Sequence, residues 1–168
     1  LHFDACIEEI FMTLGAGALL CIASDSVKHN FAAFFTFCAD HQISLLDLPT
    51  AYFNEMLFVS GGEQALPPTV TTVIIGGESL SSRAKEHWFT HYPRGKRLFN
   101  SYGPTETTVV ATAAEIRNDG APVTIGTPLD GIYAAIVGEN LAPLPLGCCG
   151  ELLIAGRPSA RDICISQR

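Results

Sequence analysis

Thr71-Thr72-Val73-Ile74-Ile75-Gly76-Gly77 decides the fold class of this 168-residue chain. All five residues before the glycines are β-branched, a type that packs well on a pleated surface and loses rotamer freedom in a helix. The run is too short for a helix and ends at a glycine pair, so it reads as a buried strand with an abrupt exit. Downstream, Ser79 to Tyr92 places Leu80, Ala84, Trp88 and Phe89 at helical spacing, and Arg97 to Asn100 is the next strand. Upstream, Ile43 to Leu48 is a strand stopped by Pro49, and Thr50 starts a helix over about 51–58 that ends by Gly61-Gly62.

The alternation extends toward the N-terminus. Ser26 to Gln42 carries a stripe of Phe31, Phe34, Phe35 and Cys38 and reads as one helix capped by Ser24 or Ser26. Ala18 to Ala23 is an unbroken apolar run and reads as another buried strand. Cys6 to Leu14 sets Ile7, Ile10, Phe11 and Leu14 on one helical face, with Asp4 as N-cap, Glu8 and Glu9 in the first turns, and Gly15 and Gly17 at the end. Strand–helix–strand repeated over residues 18–100 implies a parallel sheet with right-handed crossovers. The texture changes after residue 108. Thr108 to Ile116, Ile132 to Val137 and Glu151 to Ala155 read as short strands between the turns Asp119-Gly120, Asp130-Gly131 and Leu146-Gly147. The expected architecture is α/β: a parallel sheet with flanking helices over residues 1–112, followed by part of a β-rich subdomain over 113–168.

Composition narrows the function classes. The chain is 48% hydrophobic and 16% charged, which suits a packed core and argues against disorder. Its net charge is −7 with no Lys/Arg run, so a nucleic-acid partner is not expected. The apolar run from Ala16 to Ala23 is too short to span a bilayer and has no basic leader, so no membrane role is expected. Six cysteines include no Cys-x-x-Cys unit, and Cys148-Cys149 is an adjacent pair. Reduced thiols and a cytoplasmic location are the expectation. His87 and His91 lie one helical turn apart, but the order His-Glu-x-x-His is missing, so they read as surface residues. There is no Gly-x-Ser-x-Gly, Walker loop or Gly-x-Gly-x-x-Gly.

Ligands of a parallel sheet bind beyond the carboxyl ends of its strands. Two loops qualify: Gly76-Gly77-Glu78-Ser79 and Asn100-Ser101-Tyr102-Gly103-Pro104-Thr105-Glu106-Thr107. In the second, Gly103-Pro104 makes a tight turn, Thr105 and Thr107 offer hydroxyls to phosphate oxygens, Glu106 can hold Mg²⁺, and Tyr102 offers a ring for a base. An ordinary solvated turn has the same ingredients.

Asn-Ser-Tyr-Gly-Pro-Thr-Glu-Thr-Thr (100–108) resembles the nucleotide-binding signature of the adenylation domains of nonribosomal peptide synthetases, within the acyl-adenylate-forming superfamily. Phe3-Asp4-Ala5-Cys6 with Glu9-Ile10-Phe11 resembles the family's substrate-pocket helix. Gly150-Glu151-Leu152-Leu153-Ile154-Ala155-Gly156, followed by Ala160-Arg161, resembles its downstream Gly-Glu-Leu signature. The resemblance implies ATP-dependent activation of an amino acid to an aminoacyl-adenylate with release of pyrophosphate. Transfer to the phosphopantetheine thiol of a carrier-protein domain in the same parent chain would follow. It makes Asp4 the partner of the substrate α-ammonium. It lines the pocket with Ala5, Glu8, Asp47, Ile74, Gly76, Ser101, Val109 and Val110. It assigns nucleotide contacts to Gly76, Gly77, Glu78, Asn100, Ser101, Tyr102, Gly103 and Thr105, with Tyr102 on adenine, and Mg²⁺ to Glu106. Two pocket carboxylates, Glu8 and Asp47, call for a basic amino acid such as lysine, ornithine or arginine.

The family's phosphate loop ending in Lys-Gly, its Thr-Gly-Asp signature and its lid with the catalytic lysine are not in this sequence. After Ala160-Arg161 the family continues Gly-Tyr, where this chain has Asp162-Ile163. The chain therefore reads as a fragment, with little or no adenylation expected from it alone. The alternatives are an acyl- or aryl-acid-activating relative, which would have no use for Asp4, and a non-catalytic remnant.

Overall fold

The computed structural model describes residues 5–59, 66–92 and 95–156. The elements run α1 (Ala5–Gly15), α2 (Asp25–Lys28), α3 (Phe31–Asp40), β1 (Leu45–Pro49), α4 (Thr50–Val59), β2 (Thr72–Gly76), α5 (Ser82–His91), β3 (Arg97–Tyr102), a 3-10 turn (Thr105–Thr107), β4 (Thr112–Ile116), β5 (Thr127–Pro128), β6 (Ile132–Val137) and β7 (Glu151–Gly156). One five-stranded sheet has the order β1-β2-β3-β4-β5, and β6 and β7 form a separate antiparallel pair.

The sheet is mixed. β1, β2 and β3 are parallel, each joined to the next through one helix, whereas β4 and β5 are antiparallel. β4 straddles the boundary expected at residue 113 and pairs with β3 from Leu98↔Ile116 to Tyr102↔Thr112. The expected strand from Thr108 shrinks to Thr112–Ile116, because the chain first makes the 3-10 turn and then a reversal.

Strand alternation gives the parallel strands two unlike faces. Leu46, Leu48, Val73, Ile75 and Leu98 are buried against Phe34, Phe35, Phe53, Met56, Leu57 and Trp88 of the helices. Trp88 is wholly buried, 5.5 Å from the Phe53 ring and 4.9 Å from the Tyr92 ring, centroid to centroid. Burial of such rings dominates a core of this size. On the other face, Asp47, Ile74 and Phe99 align across the strands and are half-buried. A smaller cluster of Ala111, Ile132 and Ile154 joins the main sheet to the β6–β7 pair, with Tyr102 and Leu152 against it.

Three local expectations need correction. The run Ala18 to Ala23 is not a strand: Leu19 and Ile22 are 81% and 84% exposed, and among the described residues no neighbouring strand supplies the backbone partners a buried strand requires. The expected helix over 26–42 is two helices, because Asn30 takes an extended conformation and its side chain accepts from Ala33 N at 3.1 Å, capping α3. The helix expected from Ser79 starts at Ser82, where Ser81 caps by accepting from Ala84 N at 3.2 Å. In α1 the apolar stripe exists but no residue is buried, and Phe11 and Leu14 stand in solvent.

Candidate functional site

The carboxyl ends of β1, β2 and β3 meet at Pro49, Gly76 and Ser101. Pro49 pairs with Gly76 in register. Thr50, fully buried at the start of α4, donates its hydroxyl to Gly76 O at 3.0 Å and to Glu78 O at 3.1 Å, so the loop after β2 is fastened to the end of β1. Ser101 donates its hydroxyl to Ile75 O at 3.2 Å. A β-carbon at Gly76 would sit 2.6 Å from Ser101 Oγ and 3.2 Å from Ser101 O, so the Ser101 hydroxyl, with its backbone close behind, favours glycine here. Gly77 has φ +87°, and Glu78 is exposed. Thr50 is a fastening that sequence reasoning did not single out; its signal was a threonine directly after the strand-ending proline.

The loop after β3 is packed from within. A β-carbon on Gly103 would collide with Val109 O and lie 2.7 Å from Ala111 N. Ala111 N donates to Tyr102 O at 2.8 Å across the base of the loop. Thr107 is buried and donates its hydroxyl to Pro104 O at 2.8 Å. Thr105 and Glu106 are exposed. Two consecutive β-branched residues then take positive φ, Thr108 at 58° and Val109 at 76°. Val110 N donates to Thr108 O at 3.1 Å, so Val109 is the centre of a γ-turn with positive φ, a rare and strained geometry. The reversal turns Val109 and Val110 toward α1.

There they line an open cavity of about 570 Å³ with Thr108, Leu129 and Ile7, Glu8, Phe11 and Met12 of α1. Its walls are apolar apart from the carboxyl of Glu8 and the hydroxyl of Thr108. The structure thus brings together Glu8, Val109 and Val110 of the expected pocket and adds Thr108 and Leu129. Asp47 couples to the same region. One of its carboxylate oxygens, Oδ2, is buried without a hydrogen-bond partner. Burial, and after it the charges of Glu8 and Glu9, raise its pKa to about 7. Burial and the Glu9 charge also raise Glu8. Glu9 is raised by burial, against the opposing pull of Lys28. Glu9 is a third carboxylate in this field that the pocket reading left out.

The remaining expected residues divide. Ile74, Gly76 and Ser101 share the Asp47 face of the sheet. Ala5 is exposed at the first turn of α1 and is not among the cavity residues. Asp4 lies outside the described residues. Asn100 is buried on the opposite face and donates from Nδ2 to Thr124 O at 2.9 Å, so its amide fastens the 124 segment. Tyr102 is half-buried against the Ala111 cluster, and burial raises its pKa. His87 and His91 stack at 4.0 Å, with His91 Nδ1 2.9 Å from His87 O, and no group of three metal-type ligands occurs among the described residues. No helix among the described residues is long and apolar enough to cross a membrane.

Comparison with known proteins places this geometry. The family model described as AMP-binding enzyme matches residues 1–162. The chain is 45% identical over 153 residues to the isonitrile lipopeptide synthase of Streptomyces coeruleorubidus, covering 84% of this chain and 10% of that protein. It is 33% identical over 167 residues to tyrocidine synthase 1 of Brevibacillus parabrevis, covering 96% and 14% respectively. Among solved structures it resembles the N-terminal subdomain of Klebsiella oxytoca NpsA in complex with 3-hydroxyanthranilyl-AMSN, at a TM-score of 0.76 and 26% identity. That match covers 96% of this chain and 39% of that one. The chain therefore spans 10–14% of the length of these two synthases.

Proposed function

The chain belongs to the AMP-binding enzymes, and from that membership we propose that it is part of an amino-acid-activating adenylation domain of a nonribosomal peptide synthetase. The parent reaction joins the carboxylate of an amino acid to the α-phosphate of ATP and releases pyrophosphate. The aminoacyl group then passes to a phosphopantetheine thiol on a carrier domain of the same parent chain. The observation that carries this reading is the close approach of Gly76 to Ser101 at the strand ends, with the loop after β3 running on to Val109 and Val110 in the wall of a cavity that holds Glu8.

In this reading the chain positions groups and supplies charge, the main protein contribution to reactions at phosphorus. Gly76, Gly77, Glu78, Asn100, Ser101, Tyr102, Gly103 and Thr105 border the nucleotide. Glu106 is the metal ligand. Its exposed carboxylate beside the exposed Thr105 suits Mg²⁺, which keeps several waters and takes one or two carboxylates along with phosphate oxygens. The metal would offset phosphate charge. Asp4 pairs with the α-ammonium, and Ala5, Ile74 and Gly76 complete the pocket walls with Glu8, Asp47, Ser101, Val109 and Val110.

The substrate side chain is cationic. An unpartnered buried carboxylate oxygen on Asp47, next to Glu8 and Glu9, is costly until a donor meets it. An ammonium or guanidinium would relieve that cost, and an apolar side chain would not. Lysine, ornithine and arginine fit this demand. ATP–pyrophosphate exchange by the intact parent across the amino acids tests the reading. Exchange is expected with a basic amino acid, whereas selectivity for a large apolar one would overturn the cationic assignment, and no exchange with any amino acid would overturn the adenylation reading.

A further inference from the structure

Away from the nucleotide crevice, the β6–β7 hairpin presents two adjacent thiols. Pro145-Leu146-Gly147-Cys148 forms a turn in which Cys148 N donates to Pro145 O at 3.2 Å and Gly147 takes φ +88°, as the third residue of a type II turn requires. Leu146 at its tip is fully exposed, and Cys148 and Cys149 are both exposed free thiols. On the far side Gly150 is pinned, since a β-carbon there would lie 2.5 Å from Val137 O and 2.6 Å from a Leu144 methyl. β7 begins at the next residue. The two cysteines therefore lie between a hydrogen-bonded turn and a close-packed glycine, outside any ladder pairing.

Neighbouring Cα atoms are about 3.8 Å apart across a trans peptide. Unstrained disulfides span about 4.4–6.8 Å between Cα atoms, so a direct sulfur–sulfur bond within this pair closes under strain and is readily reduced. A single larger atom inserted between the sulfurs removes that constraint, because the bridge becomes longer and each bond can keep its preferred angle. The other described cysteines do not offer the same arrangement: Cys38 is buried, and Cys6 and Cys21 are half-buried and far apart in sequence.

We propose that Cys148 and Cys149 form a bidentate site for soft, thiol-seeking trivalent centres, with organic arsenic(III) hydroxides as the ligand class. Two sulfur–arsenic bonds form and two arsenic–oxygen bonds break. Each thiol proton leaves with a hydroxyl as water, and no electron changes hands. The site needs neither nucleotide nor amino acid.

The test uses the reduced chain and phenylarsine oxide in the presence of excess glutathione, read by intact mass and by counting free thiols. One adduct that consumes two thiols, survives glutathione and is removed by a small dithiol is expected. Cys148→Ser and Cys149→Ser should each weaken binding by about 10²–10⁴-fold, the effective-concentration advantage lost with the second sulfur. Cys38→Ser should leave it unchanged. Both hairpin positions are exposed, and the alanine variants serve as a second pair should either serine variant unfold. An adduct that persists against glutathione in the Cys148 or Cys149 variants, or a wild-type adduct that glutathione strips, would overturn the assignment.

Discussion

The same three parallel strands present two faces of opposite character. Leu46, Leu48, Val73, Ile75 and Leu98 point into a sealed helical layer, while one register over stand Asp47, Ile74, Gly76, Phe99 and Ser101. The first set is uniformly apolar and buried. The second interrupts the apolar run with a carboxylate, a glycine and a hydroxyl, and is only half-buried. The difference shows where free energy of folding is gained and where the chain tolerates a cost. An unpartnered carboxylate oxygen and a strained turn at Val109 both lie toward the second face. Such features persist where surrounding structure over-determines them, and they cluster at binding sites.

Substitution can break or sharpen this contrast. The largest effect is expected on the sealed face. Trp88→Ala empties the centre of the core and should cost about 3–5 kcal/mol in urea unfolding. Comparable damage from truncating Phe99 on the other face would erase the distinction. Next is Gly76→Ala, where the new methyl collides with Ser101. A loss of about 2–3 kcal/mol is expected, toward the upper end for overpacking. Adding Ser101→Ala should return part of it, because the 2.6 Å contact is to the hydroxyl and only the 3.2 Å contact to the backbone remains.

Asp47 gives the pH signature of the open face. Its folded pKa, about 7, lies above the ordinary carboxylate value, so the native state holds a proton that the unfolded chain has released. Its contribution is therefore fully present below pH 3.8 and is lost as pH rises through about 7. Asp47→Asn should flatten stability across that window. It should raise stability at pH 8 by on the order of 2 kcal/mol, allowing for partial solvent access. A variant whose pH profile matches the wild type would remove Asp47 from the account. The smallest expected change is at Asn30→Ala, where loss of the α3 cap should cost about 1 kcal/mol. Helix content near α3 by hydrogen exchange would check that it acts locally.

Sequence periodicity carried much of the fold. The β-branched run at 72–75, the Pro49 stop and the Trp88 stripe mark strands and helices through local chemistry, and each lies close to where it was read. It failed at Ala18–Ala23, because an apolar run becomes a strand only if another strand supplies its hydrogen bonds. It missed the break at Asn30 because the Phe stripe begins only at Phe31, and the polar residues before it carry no glycine or proline to mark the end of α2. At the site, residue types singled out Glu8, Gly76, Ser101, Gly103, Val109 and Val110. They could not tell that Asn100 faces the other side of the sheet from Ser101, with its amide on Thr124 O.

The sequence by itself determined the alternation of strands and helices, the glycines at two strand exits and the carboxylates available to a ligand, since these follow from local sterics and side-chain chemistry. Tertiary structure alone decided that β4 returns antiparallel, that Val109 is forced to positive φ beneath Gly103, and that Glu8, Glu9 and Asp47 share one field. These depend on which distant backbones approach within a few ångströms, and no local pattern encodes that distance.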